Sequence, residues 1–312
     1  MNRILKPAAL APDSTFSVVA PASPAESLRV GIGFDALRAL GFKPDLAPNA
    51  AQSGPLYFAG SPAQRLADLH DSFTNPNSSA LISLRGGYGS NYLLGGLDLD
   101  LIAAHPKPFL AYSDLTGLQL CLLDRIGLPA FHGPMLAADI CRPDGLHQAS
   151  FRAALSGQPY GLGPAEGLRT LKPGAQNSIR GTLYGGCLSI ITALLGTPWE
   201  PATEGKLLFL EDIAAKPYQI DRMLWQLRAA GKLEGVPAII FGEMLNCASP
   251  GAPSDLLDQA ILSALDGLNV PIAIGLRSGH VSRQNVTLTF GVEAQLTLGD
   301  ETRLDLLEAA VV

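Results

Sequence analysis

Three polar segments each follow a short apolar run, at the point where a buried strand would end. They are the loop 85–90 (RGGYGS), the pair Ser113-Asp114 and the pair Glu211-Asp212. In a parallel sheet, ligands gather at the carboxyl ends of the strands. Hydroxyls, carboxylates and glycines at such ends can supply a nucleophile, an acid and free backbone N–H groups. These segments are therefore the first candidates for a functional site.

Ser113 suits a nucleophile, because it stands between the predicted strand 109–112 and a helix that is predicted to begin at Asp114. Backbone N–H groups at a helix N-terminus point outward and can stabilise an oxyanion. The same position also suits an N-cap, which is the commoner role of serine before a helix. The surrounding AYSDL lacks the GxSxG pattern of α/β-hydrolases, so both interpretations stay open.

The glycines of loop 85–90 would let the backbone approach a ligand and leave N–H groups free for an anion. The loop is not a GxGxxG motif and does not follow the first predicted strand, so it is a weak signal for a nucleotide. A tight turn is the alternative. The shared position of this loop and Ser113 after strands of one predicted sheet favours a ligand site.

A hydroxyl nucleophile requires a base, normally histidine. His132 follows a predicted strand, and His280 lies in a glycine-containing loop, so either histidine suits this role. The other histidines lack suggestive neighbours; they are His70, His105 and His147.

Glu211 is the candidate acid. It follows four apolar residues, 207–210, and a carboxylate is costly to bury there without a partner. Exposure into a site at the strand end removes that cost. The alternative is that Glu211 or Asp212 caps the following segment.

The chain of 312 residues has 47% hydrophobic and 16% charged residues, which predicts a folded α/β protein. Alternating strand and helix patterns predict an N-terminal Rossmann-like or flavodoxin-like domain with a parallel sheet over 1–155. A Gly/Pro/Thr-rich linker is predicted over 156–178, and a mixed α/β domain over 179–312. Within that second domain, a Gly-Gly turn with a helix is predicted over 185–195, and 286–298 is predicted to close the chain as a hairpin.

Charge, hydropathy and cysteine content argue against several classes of partner, location and site. The net charge of −6, without a basic run, argues against a nucleic-acid partner. Apolar stretches of four to six residues argue against membrane insertion, and the N-terminus lacks a signal-peptide pattern, which predicts a cytoplasmic protein. The four cysteines, Cys121, Cys141, Cys187 and Cys247, form no CxxC pair and argue against disulfides and a zinc site.

Several separated motifs occur in an order that resembles the LD-carboxypeptidase family of serine peptidases. They lie between about Tyr57 and Phe290 and read RGGYGS, YSDLT, HGPM, GGCLSII followed by GTP, LFLEDI with PYQIDRML, and GH with Asn285 downstream. The resemblance therefore covers most of the chain.

The resemblance implies a catalytic triad of Ser113, Glu211 and His280, with His132 as a structural or cleft-lining residue. It implies an oxyanion hole that uses the backbone N–H of Asp114 and one from the glycine turn, either Gly86 or Gly87. Ser113 would come from the first domain and the other two triad members from the second, so that the active site would lie at the domain interface. No metal or organic cofactor is implied.

Two positions depart from the family pattern. Ala111 replaces a glycine and is a mild change in a strand. Cys187 replaces an asparagine in the Gly-Gly-x-Leu motif and removes an amide that can form several hydrogen bonds. We interpret Cys187 as a bystander, because the motifs place no histidine near it.

The implied activity is release of the terminal D-alanine from cytoplasmic murein tetrapeptides in peptidoglycan recycling, through an acyl-enzyme. The resemblance also suggests a homodimer. The substrate's free carboxylate favours a cation, and the substrate-binding candidates beside the motif loops are Arg85, Tyr88, Arg277 and Arg283.

Two alternatives remain. The microcin C immunity branch of the family cleaves peptidyl or aminoacyl nucleotides, but it is usually longer and carries an added aromatic loop. The two tryptophans of this chain, Trp199 and Trp225, lie in segments predicted as core or helix, so this branch ranks second. A non-catalytic ligand-binding protein on the same scaffold is the other alternative.

Overall fold

Strands and helices alternate along most of the chain in the computed structural model, which describes residues 4–248, 251 and 253–312. Among these residues, no helix has the length and apolar character needed to cross a bilayer. The strands are β1 (Thr15–Val19), β2 (Lys43–Leu46), β3 (Ala80–Ser83), β4 (Phe109–Ala111), β5 (Ala130–His132), β6 (Tyr160–Leu162), β7 (Arg169–Lys172), β8 (Ser178–Cys187), β9 (Lys206–Glu211), β10 (Ala238–Gly242), β11 (Ile272–Leu276), β12 (Leu288–Phe290), β13 (Glu293–Thr297) and β14 (Arg303–Leu306). The helices are α1 (Ser27–Ala39), α2 (Pro62–Thr74), α3 (Leu99–Ala104), α4 (Thr116–Ile126), α5 (Gln148–Ser156), α6 (Leu188–Ala193), α7 (Pro217–Ala229) and α8 (Leu256–Ala264).

The elements divide between two units, and each has its own sheet. Unit 1 comprises Met1–Gln158, Arg283–Gly291 and Ala309–Val312, of which Met1, Asn2 and Arg3 lie outside the described residues. Unit 2 comprises Pro159–Ser282 and Val292–Glu308. The prediction of a second domain that continues unbroken to residue 312 is therefore wrong, because the chain returns to unit 1 twice.

The sheet of unit 1 has the order β12-β5-β4-β3-β1-β2. Strands β1 to β5 are parallel, and β12 pairs antiparallel with β5 at one edge. The order 2-1-3-4-5 is that of flavodoxin-like folds, in which ligands bind where the chain reverses its direction of winding between β1 and β3. This confirms the predicted α/β class and places loop 85–90 at that point, directly after β3.

Helix α4 forms a rigid support behind β4. It is buried continuously from Thr116 to Leu123 and ends at Gly127, whose left-handed conformation (φ 74°) forms the C-cap. A helix buried along most of its length lacks the single apolar stripe of a surface helix. The turn that precedes α4, which contains Ser113, is consequently held by packed structure on its C-terminal side.

The sheet of unit 2 has the order β6-β14-β13-β8-β9-β10-β11-β7. Its central strands β8 to β11 are parallel, and the outer pairs are antiparallel. Strand β9 is fully buried from Leu207 to its last residue, Glu211, because it lies between β8 and β10. The carboxylate of Glu211 therefore lies in the interior, at the carboxyl end of a central strand.

Three sequence predictions for this part of the chain are wrong. The predicted linker 156–178 contains β6 and β7, which pair with β14 and β11 at the two edges of the sheet of unit 2. The predicted hairpin does not form, because β12 pairs with β5, whereas β13 pairs with β8 and β14. The Gly-Gly pair at 185–186 belongs to β8 and not to a turn, so helix α6 begins only at Leu188.

Candidate active site

Ser113 lies in a strained turn between β4 and α4. Its φ is +64°, a left-handed conformation that costs a non-glycine residue on the order of 1–3 kcal/mol and is concentrated at functional sites. The residue opens a short 3₁₀ turn, Ser113–Leu115, whose N-cap is Tyr112, while the N-cap of α4 is Leu115. The interpretation of Ser113 as an N-cap is therefore wrong, and the half-buried hydroxyl sits on a sharp turn between strand and helix.

The glycine loop packs directly against this serine. A Cβ placed on Gly86 would lie 2.9 Å from Ser113 Oγ and 3.4 Å from the backbone nitrogen of Asp114. Gly87 has φ +106°, and a Cβ there would lie 2.3 Å from Ser23 Oγ. Only glycine at position 86 allows the loop backbone to approach the hydroxyl this closely. The two features singled out in the sequence thus form one constellation within unit 1.

Two hydrogen bonds join the loop to the turn that carries the serine. The backbone N–H of Ser90 donates to Asp114 Oδ2 (2.8 Å), and Ser90 Oγ donates to the backbone carbonyl of Asp114 (2.6 Å). All of these atoms are buried, and buried hydrogen bonds to a carboxylate are among the stronger ones in proteins. Asp114 is thereby held by its side chain and its carbonyl, which fixes the position of the residue that follows Ser113.

Two further residues that sequence reasoning missed hold the glycine loop. Ser23, after β1, accepts a hydrogen bond from the N–H of Tyr88 at its Oγ (3.1 Å) and donates its own N–H to the carbonyl of Gly86 (3.3 Å). Arg65, which is only 2% exposed, donates to the carbonyls of Pro21 (2.6 Å) and Gly89 (2.8 Å). The Pro-Ala-Ser-Pro segment after β1 was a signal for Ser23, whereas an arginine within a helix gave none for Arg65.

We expect Gly86→Ala to lower kcat by about 100-fold, since a displacement of reacting groups on the order of 1 Å costs that much. The added methyl would have to displace Ser113 or the loop. Gly31→Ala is the matched control, because a Cβ there meets nothing within 4 Å. Steady-state kinetics and thermal melting of both variants test this. Wild-type kinetics for Gly86→Ala would contradict the role of the loop.

In unit 2, Glu211 and His280 form a hydrogen-bonded pair. Glu211 Oε2 accepts from His280 Nδ1 (2.8 Å) and from the backbone N–H of His280 (2.9 Å). Because a carboxylate can only accept, Nδ1 carries the hydrogen in this arrangement and Nε2 carries the lone pair. This is the tautomer in which a histidine acts as a general base through Nε2.

Two glycines provide the space for the Glu211 side chain. A Cβ on Gly242, in the neighbouring strand β10, would lie 2.7 Å from Glu211 Cβ, and a Cβ on Gly279 would lie 2.5 Å from Glu211 Cδ. The carboxylate is fully buried. Burying a charge is costly unless it is paired and hydrogen-bonded, and the two bonds from His280 supply that compensation.

The structure separates the roles of the two adjacent acids. Asp212 Oδ2 accepts from the N–H of Ser189 in the first turn of α6 (2.9 Å), and Asp212 Oδ1 accepts from the N–H of Ile213 (2.8 Å). Burial raises the pKa of Asp212, and these backbone hydrogen bonds oppose that rise. Asp212 therefore holds the N-terminus of α6, which precedes it in the chain, and does not cap the following helix, whose N-cap is Lys216, whereas Glu211 is directed to the imidazole.

Of the two candidate bases, the structure favours His280. His132 is completely buried in β5, with its ring 5.3 Å from that of Phe290 and 5.8 Å from that of Tyr112. The side chain of His280 is 15% exposed and is paired with an acid. His132 is consequently a structural residue of unit 1.

A buried carboxyl supports the segment that leads to the serine. Asp139 Oδ2 accepts from the N–H of Met135 (3.0 Å), and its carboxyl also forms side-chain hydrogen bonds with Tyr112 and Asn285. Burial raises the pKa of Asp139 to about 6 from the ordinary 3.8, against the effect of these hydrogen bonds and of Arg142. Between these pH values the folded protein binds a proton that the unfolded chain has released, so this group lowers stability as pH rises.

We expect Asp139→Asn to remove that dependence. The free energy of unfolding of the variant, relative to wild type, should rise by up to about 3 kcal/mol between pH 4 and pH 7, because 1.36 kcal/mol corresponds to one pKa unit. Asparagine keeps an acceptor oxygen for Met135. Urea denaturation across this pH range provides the measurement, and a difference that does not change with pH would contradict the assignment.

Cys187 lies near a histidine, which corrects the reason given above for interpreting it as a bystander. It ends β8 directly opposite Glu211 of β9, and donor atoms of Cys187, Glu211 and His280 all lie within 4.8 Å of one another. Burial, followed by the nearby charges of Glu211 and Asp212, raises the pKa of the thiol well above 9. The thiolate is therefore scarce at neutral pH, which argues against a nucleophilic cysteine.

Comparison with known families decides the identity of the fold. Residues 17–133 match the family model described as the LD-carboxypeptidase N-terminal domain, and residues 180–296 match the model of the C-terminal domain. The chain belongs to the LD-carboxypeptidase family. It is a serine-type carboxypeptidase, a hydrolase that acts on peptides. The resemblance drawn from the motifs is confirmed.

Relatives of this LD-carboxypeptidase are similar along most of their length. The "Probable murein peptide carboxypeptidase" of Bacillus subtilis is 36% identical over 309 residues, 98% of this chain and 95% of that protein. The "Murein tetrapeptide carboxypeptidase" of Pseudomonas aeruginosa is 34% identical over 251 residues, 77% and 79% of the two chains. The crystal structure of an MccF-like protein from Bacillus anthracis superposes with a TM-score of 0.89 at 25% identity, over 97% and 99%.

The predicted substrate-binding residues of this LD-carboxypeptidase differ in their surroundings. Arg277 Nη2 donates to the carbonyl of Ala165 (2.5 Å), so its side chain holds a turn of unit 2. The side chain of Arg85 is exposed, while its carbonyl accepts from Ser83 Oγ (3.0 Å). Tyr88 is 41% exposed and Arg283 is exposed, both in unit 1. Arg277 is the candidate that the geometry least supports.

Proposed function

We propose that this LD-carboxypeptidase hydrolyses the peptide bond between an L-centre and a terminal D-alanine in murein tetrapeptides. Ser113 Oγ attacks the carbonyl carbon, and His280 Nε2 takes the hydroxyl proton. Glu211 holds the imidazole in the required tautomer and stabilises its positive charge. The peptide N–H of Asp114, with that of Gly86 or Gly87, stabilises the oxyanion.

The reaction then proceeds through an acyl-enzyme. The proton held by His280 passes to the nitrogen of D-alanine, and the C–N bond breaks while the acyl group remains on Ser113 Oγ. Water then attacks the ester with His280 as base, and Ser113 regains its proton as the tripeptide acid leaves.

The observation that carries this proposal is the buried Glu211–His280 pair, with the imidazole held at Nδ1 by a carboxylate. The strained Ser113 turn and the close approach of Gly86 support it. The substrate class is supported by the two relatives named as murein peptide and murein tetrapeptide carboxypeptidases.

The experiment that tests the proposal is D-alanine release from L-Ala-γ-D-Glu-meso-diaminopimelate-D-Ala, measured with a coupled D-amino-acid oxidase assay. We expect D-alanine to be released from this peptide but no L-alanine from its diastereomer that ends in L-Ala. Hydrolysis of both diastereomers at equal rates would contradict L,D specificity. Absence of release from either would contradict the proposed substrate.

One observation favours a second candidate, cleavage of peptidyl or aminoacyl nucleotides. The structural neighbour from Bacillus anthracis is named after MccF, the microcin C7 self-immunity protein. Beside the glycine loop, exposed rings form a cluster in which Tyr57 and Tyr88 lie 5.3 Å apart and Tyr88 and Tyr92 lie 6.2 Å apart. A nucleobase can stack on an aromatic side chain, and each stacked base contributes about 1–3 kcal/mol to binding.

Assays on both substrate classes distinguish the two candidates. If murein tetrapeptides are the substrate, we expect kcat/KM for the tetrapeptide to exceed that for a glutamyl or aspartyl adenylate analogue by at least about 100-fold. This ratio corresponds to a difference of about 2.7 kcal/mol in transition-state stabilisation. A reversed preference, lost in Tyr88→Ala, would favour the nucleotide candidate. Trp225, which is exposed on α7 of unit 2 and is not one of the clustered tyrosines, is the aromatic control.

Arg85 is proposed to bind the free carboxylate of the substrate. We expect Arg85→Ala to raise KM for the tetrapeptide by about 10-fold or more, with a smaller effect on kcat, because a charge-assisted hydrogen bond is worth about 1.5–3 kcal/mol. A tetrapeptide whose D-alanine is amidated should show no such difference between wild type and variant. Arg283→Ala serves as a comparison, and equal KM values for wild type and Arg85→Ala would exclude the role.

We also propose that the protein acts as a cytoplasmic homodimer, as the family resemblance implies. Light scattering of the purified full chain is expected to give twice the monomer mass of 32.7 kDa. A monomer at micromolar concentration would contradict the dimer.

A further inference from the structure

The carboxyl ends of two neighbouring strands in unit 2 place three metal-ligand side chains together. Cys187 ends β8 and Glu211 ends β9, and the two residues are partners in the parallel register. His280 reaches the same point from the loop after β11, where it is hydrogen-bonded to Glu211. One donor atom from each residue lies within 4.8 Å of the other two.

The chemistry of these donors selects a class of cation. Zn²⁺ takes thiolate, imidazole and carboxylate ligands, usually in tetrahedral geometry, at about 2.0–2.3 Å. Three protein ligands leave the fourth position for water. Mg²⁺ and Ca²⁺ prefer sets composed only of oxygen, so the thiol and imidazole disfavour them.

The charge balance also suits a dication. The thiolate of Cys187 and the carboxylate of Glu211 together neutralise Zn²⁺, so the cluster buries no net charge when the metal is bound. Asp212 lies close enough to influence the Cys187 thiol and adds negative potential beside the cluster. Cys187 and Glu211 are buried, and the partly exposed His280 side chain offers the point of entry.

We propose that Cys187, Glu211 and His280 form a binding site for a soft divalent cation of the Zn²⁺ class, and that occupancy inhibits the enzyme. As the Zn–S bond forms, the thiol releases its proton to solvent. His280 binds the metal through Nδ1, whose hydrogen moves to Nε2, so neither ring nitrogen can then act as a base. The binding part rests on the geometry of unit 2 alone, whereas the inhibition part rests on the proposed function.

Binding of the metal ion and hydrolysis of the peptide exclude each other in this arrangement. In the metal-free form, His280 Nδ1 donates to Glu211 Oε2 over 2.8 Å. Two ligand atoms of one zinc ion are separated by an angle that is close to tetrahedral, and each metal bond is about 2.0–2.2 Å long. A carboxylate oxygen and a ring nitrogen that both bind the ion therefore lie farther apart than the hydrogen-bonded pair. The pair must therefore rearrange when the metal enters.

Cobalt(II) titration of the metal-free full-length protein tests binding without using activity. Thiolate coordination to Co²⁺ gives an intense near-ultraviolet charge-transfer band, and tetrahedral Co²⁺ gives visible bands; Zn²⁺ should abolish both. We expect these bands in wild type and in Cys141→Ser, whose half-buried thiol lies in unit 1. We expect at least about 100-fold weaker binding in Cys187→Ser, because even residues that only support a ligand contribute 10–100-fold.

Cys187→Ala repeats the test in case the serine variant folds poorly, and circular dichroism checks both variants. Wild type without a thiolate band at millimolar Co²⁺, or an unchanged band in both Cys187 variants, would overturn the site. Inhibition is measured separately, by comparing D-alanine release with and without Zn²⁺. The rate of each variant is divided by its own metal-free rate, and a chelator should restore the activity.

The two parts can fail independently. Cobalt binding without inhibition of D-alanine release would overturn only the inhibitory role. An enzyme inactive on the tetrapeptide would overturn the proposed substrate, and the cobalt spectrum would still decide whether the site exists. Equal inhibition of wild type and the Cys187 variants would place the inhibiting metal elsewhere and overturn this assignment.

Discussion

Ser113→Ala is expected to lower kcat for D-alanine release by about 10⁴–10⁶-fold, the loss found when a nucleophile of this type is removed. The hydroxyl is the group that forms the acyl-enzyme, and the Gly86 backbone lies against it. Loss of the oxygen leaves the loop and the turn in place, so KM should change little.

Ser113→Gly separates chemistry from strain. Glycine adopts the observed φ of +64° without penalty, whereas alanine keeps the strain of serine. We expect the glycine variant to be as inactive as the alanine variant but no less stable, by thermal melting. Residual activity within tenfold of wild type in either variant would show that another residue is the nucleophile.

Glu211→Gln is expected to lower kcat by about 10³–10⁴-fold, because the amide cannot stabilise an imidazolium and no longer imposes the tautomer. Glu211 accepts two hydrogen bonds from His280 at one oxygen, and glutamine preserves its size between Gly242 and Gly279. Steady-state kinetics with the tetrapeptide provide the measurement.

Asp212→Asn is the matched control, since it alters the adjacent buried acid. Asparagine can still accept from Ser189 or Ile213, so helix α6 keeps a capping partner. We expect less than about a tenfold change in kcat, as the residue holds a helix terminus and not the imidazole. Equal losses in the two variants would contradict the division of roles between these acids.

The sequence predicted the parallel core of unit 1 well because its signals are local. The apolar runs before loop 85–90 and before Ser113 became β3 and β4, and α4 ends at Gly127. Helical crossovers between successive strands make the sheet parallel, whereas the strand order itself is seen only in the structure. Both polar segments consequently lie at strand ends on the same edge of that sheet.

The errors concern pairings that local patterns do not encode. Strand β8 contains the pair Gly185-Gly186, which the sequence analysis took for a turn, although a Cβ on Gly185 would meet the carbonyl of Phe209 in β9. Edge strands β6 and β7 lie in a Gly/Pro-rich stretch and pair with segments far along the chain. The composition of such strands resembles that of a linker.

Sequence motifs point to the principal residues of the proposed site but not to the neighbours that surround them. Ser113, Glu211 and His280 carry motif signals. The burial of Arg65 and the proximity of Cys187 to His280 do not, because each depends on a tertiary contact between distant segments. The lack of a CxxC pair is a local signal of the same kind. It does not detect metal ligands that come from three separate elements of the fold.

Reaction with a fluorophosphonate, followed by peptide mapping, tests whether Ser113 is an activated nucleophile. The probe reports an activated serine independently of the natural substrate. We expect one covalent adduct, on Ser113, that is absent in Ser113→Ala and is formed far more slowly in His280→Ala. An adduct on another residue, or no adduct on the folded wild-type enzyme, would contradict it.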